Sequence, residues 1–133
     1  MVKLNPWLIA TIIMMMRGLA SAQPDTLWTR TFGGPRADHG YSVQQTADNG
    51  YIIAGETHSY GAGESDVWLI KTDANGDTLW TRTFGGPDED KAYSVQQTAD
   101  NGYIIAGETH SYGAGESDVW LIKTDANGDT LWT

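Results

Sequence analysis

The chain has 133 residues, with 17 Asp or Glu against 8 Lys or Arg, a formal net charge of −9, 16 glycines and no cysteine. That length holds one modest domain. So acidic a balance speaks against nucleic acid as a partner, and a chain without cysteine must be held by packing, repetition or ions instead of disulfides.

Residues 1–22, "MVKLNPWLIATIIMMMRGLASA", combine a basic Lys3, an apolar stretch from Pro6 to Met16 and a small-x-small ending at Ala20–Ala22. This is the layout of a secretory signal peptide cleaved after Ala22. The apolar run is too short for the roughly 20 residues that span a bilayer, and Arg17 interrupts it. Removing the leader leaves 6 basic and 17 acidic residues, a net charge of −11. The expectation is a protein that is secreted or held at the cell surface, with no membrane span after cleavage.

The rest of the chain is a repeat. Residues 25–76 and 77–128 match at 48 of 52 positions, and Asp129–Thr133 opens a third copy with the letters DTLWT. A period near 50 is that of a four-stranded propeller blade in kelch-type arrays. Within one period, "YSVQQT" (Tyr93–Thr98) predicts a first strand and "YIIAGETHS" (Tyr103–Ser111) a second. The Asn101-Gly102 pair between them predicts a tight turn with positive φ at both central residues. The loop "YGAGES" leads to a third strand, "DVWLIKTD" (Asp118–Asp125), and "ANGD" to a fourth, "TLWTRTFGG" (Thr78–Gly86 in the preceding copy). "YIIA" and "VWLI" are continuously apolar, which predicts strands buried on both faces. The fourth strand alternates, with Trp80, Arg82 and Phe84 on one side. No segment has a useful helical period, so the prediction is an all-β meander of four antiparallel strands per repeat.

By strand phase, 41–84 is one complete blade and 93–133 a second with a short fourth strand, while 26–32 is a lone fourth strand that could close a ring. A propeller needs about four to eight blades. The DTLWT ending therefore reads as a truncation of a larger ring; the rival is a short protein that completes a ring by self-association, or another tandem-repeat β assembly.

The segments Ser42–Thr46 (SVQQT), Gly50–Gly55 (GYIIAG), Asp66–Asp73 (DVWLIKTD) and Gly76–Trp80 (GDTLW), with their counterparts 52 residues on, closely resemble a tandem repeat of exported bacterial and archaeal proteins. That resemblance implies a β-propeller-like array, often in proteins with a C-terminal sorting domain for type IX secretion, and it has no agreed enzymatic activity to carry over. A fainter likeness is to the quinoprotein propeller repeat, through Asp73, Gly76 and Trp80 and again Asp125, Gly128 and Trp132. It implies a tryptophan docked between blades, and it does not extend to a quinone.

In a meander, alternate connections lie at the same end, so the two tight turns share one face and the two longer loops the other. All four differences between the copies fall in the loop before the first strand: Arg36, Ala37, His39 and Gly40 become Asp88, Glu89, Lys91 and Ala92. A binding surface on a fixed frame gives this pattern, and so does an exposed loop under weak constraint, the simpler reading. The residues that this end would offer a ligand are Arg36, Asp38, His39, Tyr60 and Glu64, with Asp88, Asp90, Lys91, Tyr112 and Glu116. Asp88, Glu89 and Asp90 are weak calcium candidates, and solvated acids are the simpler account. Glu56 and His58, repeated as Glu108 and His110, point to one side of a strand. Two ligands are too few for zinc, so a recurring structural hydrogen bond is the favoured role. The tryptophans are read as packing between blades instead of a sugar platform.

The functional expectation is a non-catalytic binding or adhesion scaffold, with no cofactor, that meets a glycan, a protein or a cell surface. Two alternatives stand beside it. One is a non-catalytic slice of a larger propeller enzyme, quinoprotein-like dehydrogenase or glycan hydrolase; the other is a pure spacer.

Overall fold

The computed structural model describes residues 27–133; the leader expected at 1–22 lies outside them. The described residues are all-β, with no helix. Strands β1 (Asp38–Gln45), β2 (Tyr51–Thr57), β3 (Asp66–Thr72) and β4 (Thr78–Phe84) form one sheet in that order. Strands β5 (Asp90–Gln97), β6 (Tyr103–Thr109), β7 (Asp118–Thr124) and β8 (Thr130–Trp132) form a second. Every neighbouring pair is antiparallel, as short hairpin connections dictate. The first strands begin three residues earlier than "YSVQQT" suggests, because Asp38 and Asp90 already pair with Thr57 and Thr109.

The β1–β2 turn differs from the expected one. Thr46 N donates to Gly50 O and Asn49 N to Thr46 O, and Asn49 alone carries the positive φ, 65°. This is a three-residue loop ending in a left-handed residue, and Asn101 repeats it with φ 63°. Gly50 is needed for space instead: a Cβ there would strike the carbonyl of Thr72 on the adjacent strand and lie 2.7 Å from Lys71 Nζ. Asp48 drives the shape. Its Oδ1 accepts from Thr46 Oγ1 and from Gly50 N at 3.0 Å, and Lys71 Nζ reaches Oδ2 at 2.9 Å.

The sheets pack face to face. Ile52, Ala54, Val67 and Leu69 of the first meet Ala92, Val95, Tyr103, Ile105 and Ile122 of the second in one buried cluster. Trp80 of β4 lies edge-on to Tyr103 with ring centroids 5.8 Å apart, and Arg82 stacks over Trp80 and reaches Asp129. The tryptophan expected between repeats does dock there. Residues 27–34 form no strand, yet Trp28 meets Tyr51 and Arg30 meets Asp77 in the same manner on the first sheet. They stand to the first sheet as β4 stands to the second.

Candidate functional site

The longer loops gather at one end. Arg36 N donates to Ser59 Oγ at 3.0 Å and Asp88 N to Ser111 Oγ at 3.1 Å, joining the loop before the first strand to the loop after the second. Tyr60 and Tyr112, expected as ligand contacts, hold this frame: their hydroxyls donate to the carbonyls of Gly33 and Gly85, and their rings lean on Trp68 and Trp120. Their outer faces remain half exposed.

Two residues of the expected ligand-facing set turn inward. Asp90 is fully buried, and its Oδ2 accepts from Gly86 N at 2.8 Å and Ser111 Oγ at 2.6 Å. Asp38 does the same for Thr57 Oγ1, Gly34 N and Ser59 Oγ. Burial pushes the Asp38 carboxyl up, but these hydrogen bonds outweigh it and hold the group at about 2. Both aspartates fold the loop back onto the strand, Asp90 fully enclosed and Asp38 partly buried. Among the described residues Asp88, Glu89 and Asp90 form no cluster of converging oxygens. Arg36, Glu64, Asp88 and Glu116 are exposed at this end.

The residues that do converge are His39, Glu56 and His58, whose ligand-capable atoms lie within 4.8 Å of one another. A β-bulge makes this possible. Pairing slips between Gly40 and Ser42, so Tyr41 is left over and His39 sits directly opposite Glu56. Gly55 leaves room for the bulge, since a Cβ there would collide with the His39 carbonyl oxygen. The bulged Tyr41 donates its hydroxyl to Glu56 Oε1 at 2.7 Å, and Tyr93 does so to Glu108. The Glu56 carboxylate holds the Tyr41 proton and raises that hydroxyl; the same bond from Glu108 pushes Tyr93 up to about 12. The recurring structural hydrogen bond expected of Glu56 is therefore present, with His39 as an added neighbour, its Nδ1 3.2 Å from Oε1. Lys91 of the second sheet stands 3.7 Å from Glu56 Oε2 while bonding Glu89 at 3.1 Å, a bond that raises its own ammonium.

Sequence spacing brings Glu56 and His58 together but misses His39. Counting back from the turn without the bulge puts Gly40 opposite Glu56. The bulged tyrosine follows Gly40 in one copy and Ala92 in the other, and nothing in the letters around it marks the bulge.

A groove of about 590 Å³ lies elsewhere, lined by Trp28, Phe32, Tyr41, Val43, Tyr51 and Ile53 on the outer face of the first sheet. The matching face of the second sheet is packed against the first, so Val95 is buried where Val43 is 64% exposed.

No family model matches the chain. It is similar to the regulatory protein FlaEY of Caulobacter vibrioides, 30% identical over 108 residues. That match takes in 69% of this chain and 11% of the curated relative, so the chain spans about a ninth of that protein's length.

Proposed function

We propose that the chain is part of an exported, non-catalytic binding scaffold of propeller-like blades, which presents its long-loop end to a glycan, protein or cell-surface ligand. The observation that carries this reading is where variation falls. The two sheets share one frame, and of the four positions that differ, 36/88 and 37/89 lie on the loop edge, where Arg36 and Asp88 bond Ser59 and Ser111, while 39/91 and 40/92 fall inside strands β1 and β5, with Ala92 buried in the core. Arg36 and Asp88 occupy equivalent exposed positions with opposite charge, so neighbouring blades offer different chemistry on one scaffold. Linked weak contacts of this kind gain through effective concentration. Glycan and extracellular-matrix arrays probed with the full chain test it. Retained signal that falls on Arg36→Ala or Asp88→Ala is expected; a chain that binds nothing is a spacer.

A second reading, closure with further blades, rests on the uncovered faces. Val119 and Leu121 of β7 are 88% and 44% exposed, while the same residues in β3, Val67 and Leu69, are 1% and 0% exposed under the second sheet. The face of β7 is thus complementary to the groove at Val43 by the same contacts that join the two sheets. Such a head-to-tail contact generates a ring or a filament. Sedimentation of the chain is expected to show concentration-dependent association that Leu121→Lys abolishes; a strict monomer at high concentration overturns this reading.

A further inference from the structure

We propose that His39, Glu56 and His58 form a binding site for a divalent transition-metal ion of the zinc class, built into the first sheet and lacking in the second. Three features of the cluster carry it. First, the donor set is two imidazoles and a carboxylate on two adjacent strands, a set that suits zinc, which commonly takes three protein ligands and an open fourth position. Tetrahedral bonds of about 2.1 Å put ligand atoms about 3.4 Å apart, and His39 Nδ1 and Glu56 Oε1 are already at 3.2 Å.

Second, His58 is set up as a ligand. Its Nδ1 lies 2.9 Å from the Glu64 carbonyl oxygen, which can only accept. The ring proton is therefore on Nδ1, and Nε2 is left as a lone-pair donor. Metal-bound histidines are oriented by this kind of bond to a carbonyl.

Third, Glu56 is 4% exposed and its Oε2 has no hydrogen-bond partner. A buried carboxylate with an undonated oxygen is costly unless a cation compensates it. Lys91 supplies charge from 3.7 Å but gives its hydrogen bond to Glu89. A metal ion bound through the Glu56 carboxylate adds the compensation that Lys91 gives only from 3.7 Å.

The second sheet is an internal control. Lys91 stands opposite Glu108 in the register that pairs His39 with Glu56, and Tyr93 repeats the hydroxyl bond of Tyr41. There lysine replaces the first histidine, His110 Nδ1 turns to the Glu89 carbonyl at 3.1 Å, and Glu108 is less buried than Glu56.

The test is to treat the full chain with a chelator and titrate it with Zn²⁺ alone by calorimetry, with Co²⁺ absorption as a second probe. One equivalent is expected. His39→Ala and His58→Ala should each weaken binding by more than the roughly 10–100-fold that loss of a supporting hydrogen bond costs. Neither outcome depends on whether the long-loop end binds a glycan or protein. The proposal is overturned by the absence of saturable binding at millimolar zinc, or by undiminished affinity in His39→Ala or His58→Ala.

Discussion

Strands β3 and β7 spell the same seven residues, DVWLIKT, yet every residue of β3 is buried while β7 alternates, with Val119 88% and Leu121 44% exposed. Their pairing with the preceding strand is the same, but β4 pairs β3 from Val67 to Thr72 while the short β8 pairs β7 only at Lys123 and Thr124. The second difference is what lies across the face. The second sheet covers Val67 and Leu69, and nothing in the described residues covers Val119 and Leu121. The contrast reverses on the other side: Val95 is buried against the first sheet and Val43 is open. Each repeat thus carries two sticky faces, and its own sequence encodes a neighbour on both.

Substituting identical residues in the two repeats turns this contrast into numbers. Leu69→Ala opens a cavity in the packed face and is expected to cost about 3 kcal/mol. Leu121→Ala removes a side chain already half in water and should cost about 1 kcal/mol or less. Urea unfolding of the two variants measures both, at a protein concentration where the chain is monomeric. Equal losses would mean that the β7 face is covered in solution, and the comparison between the sheets would have to be redrawn.

The tryptophans sharpen the same point at lower amplitude. Trp80 meets Tyr103, carries Arg82 over its ring, and leaves Gly128 no room for a Cβ, which would sit 2.7 Å from the ring. Trp80→Ala is expected to cost about 2 kcal/mol, less than for a fully enclosed ring because Trp80 is only partly buried. Trp132, its counterpart one repeat on, is half exposed, and Trp132→Ala should lie within about 0.5 kcal/mol of the parent. Thermal unfolding of the pair would expose a wrong assignment: a Trp80→Ala midpoint that does not move means that the ring is not holding the sheets together.

Much of this architecture is legible in the letters. Alternation in "TLWTRTF" places Trp80, Arg82 and Phe84 on one side, and those three are the partly buried positions of β4. The unbroken apolar run "VWLI" correctly marks β3 as two-sided, but it is silent about β7, because burial there depends on a neighbour the repeat does not contain. At the loop end, charge and exposure were inferred from residue type. That works for Arg36 and Asp88 and fails for Asp38 and Asp90, whose carboxylates turn inward to bond loop amides and hydroxyls. The His39–Glu56 pairing was hidden for a different reason. One bulged residue shifts the register by one, and neither composition nor period announces a bulge.

The smallest expected effect separates the inward aspartate from a merely exposed one. Asp38 has a folded pKa of about 2 against an ordinary value of 3.8, so the folded state favours its charged form. The stability this brings is complete above the unfolded value and is lost as the pH falls from about 4 through 2. Discounted for partial exposure, it amounts to about 1 kcal/mol. Asp38→Asn should lower the unfolding midpoint at pH 6 and flatten its acid dependence between pH 4 and 2, since asparagine has no charge to lose. The control is Asp88→Asn, at an exposed position of the same loop edge, which should leave both the midpoint and the acid slope as they are. If the two variants titrate alike, the hydrogen bonds from Thr57, Gly34 and Ser59 do not hold the loop, and Asp38 returns to the set of residues free to meet a ligand.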